Sequence, residues 1–227
     1  MTVVKEYKGC KNIFLVSLED KGGGENLATL NLAPGRRVYG ERLVQVSGKE
    51  YRLWDTYRSK LAAAMVKGME EVPLELGSRV LYLGAASGTT SSHVSDIVGE
   101  NGIVYCVEFS PRVMRELVAV CEYRKNMLPI LADARFPEKY RMLVQEVDLI
   151  YQDVAQPNQS EIMIKNAKMF LKEGGHGFLA IKARSIDVTK EPSEIFKKET
   201  EALQKEFEIK KVVHLEPFDK AHVMIAF

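Results

Sequence analysis

One stretch constrains this chain more than any other: Val80-Leu-Tyr-Leu-Gly84-Ala-Ala-Ser-Gly88-Thr-Thr-Ser. An apolar run stops at a glycine, and a second glycine precedes a group of hydroxyl residues. That order reads as a buried strand, a tight turn and a helix start. Gly84, Ala85 and Gly88 belong to the turn, where glycine leaves bare backbone N–H groups beside whatever binds. A second apolar run, Ile103-Val-Tyr-Cys-Val-Glu108, ends about 20 residues after Gly88, where an acid can accept two hydrogen bonds from a ribose diol. Together the two runs describe a nucleoside-cofactor pocket at the carboxyl edge of a parallel sheet. Ala86 occupies the middle glycine position of the dinucleotide pattern Gly-x-Gly-x-x-Gly. That disfavours a pyrophosphate and suits a cofactor with an amino-acid carboxylate near the helix N-terminus.

From Arg79 onward, strand and helix patterns alternate. Strands are expected at about 79–83, 103–108, 128–132, 147–151 and 176–181, and helices at about 89–98, 111–124, 160–171 and 192–205. Ser110-Pro111 suits a helix start, Ser160 is a possible cap, and Gly174-Gly175 can close a helix. This rhythm predicts an α/β, Rossmann-like, mostly parallel sheet. Two last apolar runs, 209–215 and 222–227, are joined too briefly for a parallel crossover, so one of them must run antiparallel. Residues up to about Trp54 look β-rich, with strand candidates at 12–17, 36–39 and 43–46. Gly22-Gly-Gly, Pro34-Gly and Ser47-Gly supply turns between them. A helix is expected over 56–70, capped by Asp55, with Leu61, Ala64, Met65, Gly68 and Met69 inward. The division is a small β-rich domain, 1–54, followed by the α/β domain, 55–227.

The 227 residues are 46% apolar, enough for a sizeable core, and carry a formal charge of +1. Near-neutrality makes whole-molecule attraction to nucleic acid weak, so any RNA grip must be local or come from a partner. Cys10, Cys106 and Cys121 have no ligand spacing, and His93, His176, His214 and His222 have neither paired spacing nor nearby cysteines, so no metal site is expected. His176 and His222 begin strands and read as structural. No run is long enough to cross a membrane and the start lacks a signal-peptide pattern, so a cytoplasmic protein is expected.

The remaining candidates sit where strands end. Thr89 and Thr90 either donate hydroxyls to a bound carboxylate or cap the helix. Asp133, with Ala134, either reads an adenine amino group or is a solvated loop acid. Asp153 ends the fourth strand in Tyr-Gln-Asp-Val-Ala-Gln-Pro, which is not the Asp/Asn-Pro-Pro-Tyr/Phe run of base-nitrogen methylating enzymes; an oxygen nucleophile is favoured. Lys182 finishes the apolar run Phe178-Leu-Ala-Ile-Lys, costly unless paired or useful, although a snorkelling lysine is the plain alternative. Lys60 alone would be a solvated helix charge; with Arg58, Lys182 and Arg184 it forms a possible basic rim for a phosphate backbone.

These residues carry a resemblance. Trp54-Asp-Thr-Tyr-Arg-Ser-Lys-Leu-Ala-Ala, Leu83-Gly-Ala-Ala-Ser-Gly-Thr-Thr-Ser-Ser-His-Val-Ser-Asp, Val107-Glu-Phe-Ser-Pro-Arg, Ala132-Asp-Ala-Arg, Asp153-Val-Ala-Gln-Pro and Leu215-Glu-Pro-Phe resemble the fibrillarin family in its archaeal form. The glycine/arginine-rich tail of eukaryotic members is absent. The resemblance implies a class I methyltransferase fold with a mostly parallel seven-stranded sheet and an antiparallel terminal strand. It implies S-adenosylmethionine as cofactor and ribose 2′-hydroxyls of rRNA, and in some archaea tRNA, as substrate. Targets would be chosen by a box C/D guide RNA, in a ribonucleoprotein with a Nop-type scaffold protein and a kink-turn-binding ribosomal-type protein. Cofactor contacts would fall on Thr89, Thr90, Glu108, Phe109, Asp133, Ala134 and the run Asp153, Val154, Ala155, Gln156. A Lys-Asp-Lys arrangement would map to Lys60, Asp153 and Lys182, with Glu216 or His214 as fourth member. On this reading Lys182 is the base, and a neighbouring cation such as Lys60 favours loss of its proton. Asp153 would orient both lysines. Protein glutamine methylation, a non-catalytic ribonucleoprotein subunit and, at the fold level, a nicotinamide dehydrogenase are the competing functions.

Overall fold

The computed structural model describes residues 2–8, 10–18 and 24–227. Strands β1 (Val3–Tyr7), β2 (Cys10–Ser17), β3 (Glu25–Leu30), β4 (Leu43–Val46) and β5 (Lys49–Leu53) form an antiparallel sheet in the order β1-β2-β3-β5-β4. The Ser47-Gly48 turn joins β4 to β5 with φ of 51° and 76°, the two-residue geometry that matches strand twist. The Gly22-Gly23 part of another expected turn lies outside the described residues. Residues 36–39 are not a strand. The Glu41 carboxylate takes the Val38 and Tyr39 N–H groups at 3.0 and 2.9 Å, so a side chain replaces the ladder. β1, β3 and β5 lack the continuous apolar run by which buried strands are read.

Helix α1 (Lys60–Val66) is shorter at both ends than the expected 56–70. Ser59, not Asp55, is its N-cap, accepting from Ala62 N at 3.3 Å. Asp55 instead holds the Tyr57 N–H at 2.8 Å in the preceding turn. Gly68, with φ of 111°, leaves helical space and ends the run. Leu61 to Met65 are all buried.

The main sheet alternates with helices as the pattern predicts: β6 (Arg79–Leu83), α2 (Thr89–Val98), β7 (Ile103–Glu108), α3 (Pro111–Cys121), β8 (Met127–Leu131), β9 (Val147–Gln152), α4 (Gln159–Phe170), β10 (Leu171–Lys182), α5 (Ala183–Ile186), α6 (Pro192–Gln204), β11 (Lys211–His214) and β12 (His222–Ala226). Its order is β11-β12-β10-β9-β6-β7-β8, with β12 antiparallel to both neighbours. Period-two alternation on β6 sends Val80 and Tyr82 into one apolar layer and Leu81 and Leu83 into the other, so the strand is buried on both faces. Ser160 is not a cap: α4 starts one residue earlier from Asn158, and the Ser160 hydroxyl donates to the Glu199 carboxylate. Nor does Gly174-Gly175 close that helix. Leu171 is drawn into the parallel ladder opposite Val147, and the glycines fill the irregularity before His176. No helix among the described residues is long and apolar enough to cross a membrane.

A sealed polar network welds the N-terminal sheet to α2. Arg52 of β5 lies between Glu41 and Asp96, each at 2.7 Å, and Arg124 reaches Asp96 at 2.6 Å. Arg124 comes just after α3, which ends at Cys121 rather than 124. His93 completes the weld: Tyr39 OH lies 2.7 Å from its Nε2, and Thr29 Oγ1, 2.8 Å from its Nδ1, donates to Asp96 at 2.7 Å. Since the Thr29 proton goes to Asp96, His93 Nδ1 carries the ring proton and Nε2 accepts from Tyr39. Burial, then the charges of Arg52 and Arg124, hold the His93 pKa well below its usual value, so the ring is neutral.

Candidate active site

The sheet order arranges the candidate residues along one edge. Read across β10, β9, β6, β7 and β8, the strand ends carry Lys182, Asp153, the Gly84–Gly88 turn, Glu108 with Phe109, and Asp133 with Ala134. At about 4.8 Å per strand these five ends span roughly 19 Å, room for an extended nucleoside with an amino-acid tail. Residues scattered through the chain thus form one row.

The turn is shaped for close approach. Gly84, with φ of 81°, passes against the Asp153 carbonyl and Val154, where a Cβ would collide. Helix α2 opens on Gly88, φ 97°, with no side-chain cap; its first N–H groups therefore have no side-chain acceptor. Thr89 and Thr90 are the first helical residues, not caps. Thr89 is partly exposed, whereas the buried Thr90 hydroxyl donates to Ser59 Oγ at 3.0 Å. Ala86 sits in the left-handed region with φ of 49°, its N–H held by Glu108 Oε2 at 3.1 Å. Ser110 N holds the other Glu108 oxygen at 2.8 Å. The carboxylate is thereby fixed in orientation, with lone pairs left for a diol.

Next along the row, the Phe109 ring is 62% exposed and free to lie on an adenine face. Asp133 is already held by Arg135 through contacts of 2.6 to 3.1 Å, and that guanidinium keeps its carboxyl below the usual pKa range. Arg135 is half exposed, so solvent screens this ion pair and an adenine amino group can share or displace it. The Ala134 carbonyl is taken by Asn166 Nδ2 at 2.9 Å, so a backbone contact there must come from its N–H. Val154 is buried and Ala155 exposed. Gln156 Oε1 is buried with no hydrogen-bond partner among the described residues, an acceptor awaiting a donor. The donor set fits an adenosyl group with an amino-acid tail.

Beside the row, Asp153 brings two lysines together. Lys182 Nζ lies 2.8 Å from Oδ1 and Lys60 Nζ 3.2 Å from Oδ2, all three side chains less than one-fifth exposed. Burial alone would raise the Asp153 pKa, but the two ammonium charges outweigh it and hold it below the ordinary carboxylate value. Burial works against the Lys60 charge too. Asp153 and Asp219 overcome it and raise the Lys60 pKa, so this lysine stays protonated. Gln159, at the start of α4, fixes the platform: its carbonyl accepts from Gln152 Nε2 at 2.7 Å and its Oε1 from Lys182 N at 2.9 Å.

The expected fourth member is placed otherwise. Glu216 is exposed, and His214 packs edge-on to Phe196 with ring centroids 5.7 Å apart. The same terminal loop supplies Asp219, 3.3 Å from Lys60 Nζ and 2.9 Å from His222 Nδ1. His222 is therefore more than the start of a strand. It pairs in register with Lys182 across the antiparallel ladder, which puts both side chains on one face. Its Nδ1 meets Asp219 and, at 2.6 Å, the Lys220 carbonyl, so Nδ1 carries a proton. Of the expected basic rim, Lys60 and Lys182 converge; Arg58 lies over the Tyr39 ring at 5.7 Å, and Arg184 donates to the Val188 carbonyl at 2.9 Å.

Comparison with known proteins agrees with this geometry. A family model described as Fibrillarin matches residues 4–227. The fibrillarin-like rRNA/tRNA 2′-O-methyltransferase of Aeropyrum pernix is 57% identical over 223 residues, covering 98% of this chain and 95% of that protein. A crystal structure of Aeropyrum pernix fibrillarin with natively bound S-adenosyl-L-methionine is similar with a TM-score of 0.92 at 56% identity, covering 100% of this chain and 98% of that one. A chain of a fibrillarin/Nop5p complex is similar with a TM-score of 0.84 at 44% identity, covering 95% of this chain and 96% of that one.

Proposed function

We propose that this chain, which belongs to the fibrillarin family, methylates ribose 2′-hydroxyls of rRNA and tRNA with S-adenosylmethionine, in a ribonucleoprotein where a box C/D guide RNA selects the target. The observation that carries this reading is the meeting of Lys60, Asp153 and Lys182 at the edge that also presents the glycine turn and Glu108. In this reading residues 55–227 perform the chemistry and residues 1–54 form an appended β-rich domain.

Glu108 holds the ribose diol, Phe109 covers the base, Asp133 and Ala134 meet the adenine edge, and the turn with Thr89 faces the amino-acid tail. Gly84, Ala85 and the run Asp153 to Gln156 line the approach to the reacting atoms. When bound, S-adenosylmethionine supplies a methyl group activated by a positive sulfonium. A ribose hydroxyl is weakly acidic and needs a base or a cation to stabilise the forming alkoxide. Lys182, once it has given up its own proton to solvent, is assigned to receive that of the hydroxyl. Lys60, kept charged between two carboxylates, stabilises the oxygen, and Asp153 holds the two amines at a fixed separation.

A Nop-type scaffold protein is the protein partner, in keeping with the likeness to the chain of the Nop5p complex. Guide RNA and a kink-turn-binding protein complete the proposed assembly. A formal charge of +1 accords with an enzyme that relies on partners to hold its RNA. The test is methyl transfer from labelled S-adenosylmethionine in the reconstituted complex, with guide and target RNA. One guide-specified ribose should become labelled; label only on protein, or on no component, would overturn the reading.

A further inference from the structure

A cleft of 590 Å³ opens beside the lysine cluster, between the N-terminal sheet and the loop that carries Phe218. Its size lies within the range of about 300–1,000 Å³ usual for ligand sites. Two of its lining residues connect it to the chemistry. Arg58 is separated from Lys60 only by the helix cap Ser59, and Phe218 adjoins Asp219, which grips Lys60. The wall nearest the site is aromatic. Tyr57 is 70% exposed, yet its ring is braced edge-on by Phe218 at 5.2 Å and its N–H is pinned by Asp55 at 2.8 Å. Arg58 lies over Tyr39, whose hydroxyl is held by His93, and no carboxylate among the described residues pairs with it. The acids of this cleft are committed elsewhere: Glu25 to Lys5, Glu41 to Arg52 and Asp55 to the Tyr57 N–H.

An exposed aromatic held still, next to a guanidinium that no carboxylate among the described residues neutralises, is the pairing that accepts a sugar–phosphate strand. The ring packs on a base or ribose face and the guanidinium meets phosphate. We infer that this cleft is an RNA subsite, in which Tyr57, backed by Phe218, packs against a nucleotide flanking the target ribose while Arg58 contacts its phosphate. The inference rests on the ribose-methylation reading and adds the route by which the strand reaches Lys60 and Lys182. The contacts are not to the base edge, so the subsite grips RNA without reading its sequence.

Tyr57→Ala and Arg58→Ala are compared with the unaltered chain in the reconstituted complex, with guide RNA and labelled S-adenosylmethionine. If the unaltered complex transfers no methyl group to guide-paired RNA, the functional reading itself fails. If it does, Tyr57→Ala should raise KM for target RNA about tenfold, with kcat and S-adenosylmethionine affinity unchanged. Arg58→Ala should make RNA binding less salt-sensitive, with a slope shallower by about one, and Arg58→Lys should restore most of it. Unchanged KM and salt slope in both alanine variants would overturn the subsite, as would losses confined to kcat.

Discussion

The molecule contains two buried charge clusters with the same tally, two cations and two carboxylates, built for opposite purposes. In the first, Arg52 and Arg124 join Glu41 and Asp96, and the four side chains are at most 1% exposed. In the second, Lys60 and Lys182 join Asp153 and Asp219, whose side chains are 18% to 34% exposed. The first uses guanidinium groups, planar forks that never give up a proton and lock carboxylates in place. The second uses ammonium groups, point charges on flexible stems that can exchange a proton with substrate. Contacts in the first are 2.6 to 2.7 Å; in the second they run from 2.8 to 3.3 Å. One cluster joins the N-terminal sheet to α2; the other stays open at the edge where chemistry is assigned.

That contrast can be broken by removing one acid from each. Asp153→Asn leaves two ammonium groups without the anion that spaces them. Methyl transfer in the reconstituted complex should fall by roughly a hundred- to ten-thousandfold, while the melting temperature falls by a modest amount. Asp96→Asn should do the reverse. It leaves two sealed guanidinium groups undercompensated, costing about 3–5 kcal/mol of folding stability, measurable by denaturant titration, with normal turnover per folded molecule. Similar stability losses in both variants would erase the distinction.

A smaller effect sharpens it through pH. The Asp153 pKa in the folded chain lies below its ordinary value of 3.8, because the two lysines outweigh burial. A depressed carboxylate stabilises the fold fully above its unfolded pKa and loses that contribution as pH falls through the folded value. The difference in melting temperature between the unaltered chain and Asp153→Asn should therefore be flat between about pH 5 and 8, narrowing only in stronger acid. A slope across neutrality would show that the carboxylate titrates there, against the geometry.

The two clusters also differ in how far the amino-acid order reveals them. Asp153 and Lys182 are legible because each ends an apolar run, and a charge in that place is conspicuous. The strand Ile103–Glu108 is legible to the residue for the same reason: a strand buried on both faces reads as an unbroken apolar run. Lys60 is visible only through its resemblance to a known motif, since one lysine near a helix start has no pattern of its own. Asp219 and His222 are hidden because their position depends on β12 returning antiparallel beside β10, a register that sets His222 opposite Lys182. Glu216, in the same loop, is exposed, and His214, at the end of β11, packs against Phe196. The arginine weld is hidden more deeply. Arg52 sits mid-strand and Arg124 in a turn, where charged residues are ordinarily solvated. The packing of β2 and β3 against α2, with the Arg52 side chain reaching across to Asp96, removes their water.

The central claim is a division of labour along one sheet edge, with Glu108 holding the cofactor and Lys182 handling the ribose proton. It is tested most directly by measuring S-adenosylmethionine affinity by calorimetry, and methyl transfer to guide-paired RNA, for Lys182→Ala and Glu108→Ala side by side. Lys182→Ala should bind the cofactor as the unaltered chain does and transfer nothing. Glu108→Ala should bind it roughly ten- to a hundredfold more weakly and recover transfer when the cofactor is in excess. Equal loss of cofactor affinity in both variants would contradict the account.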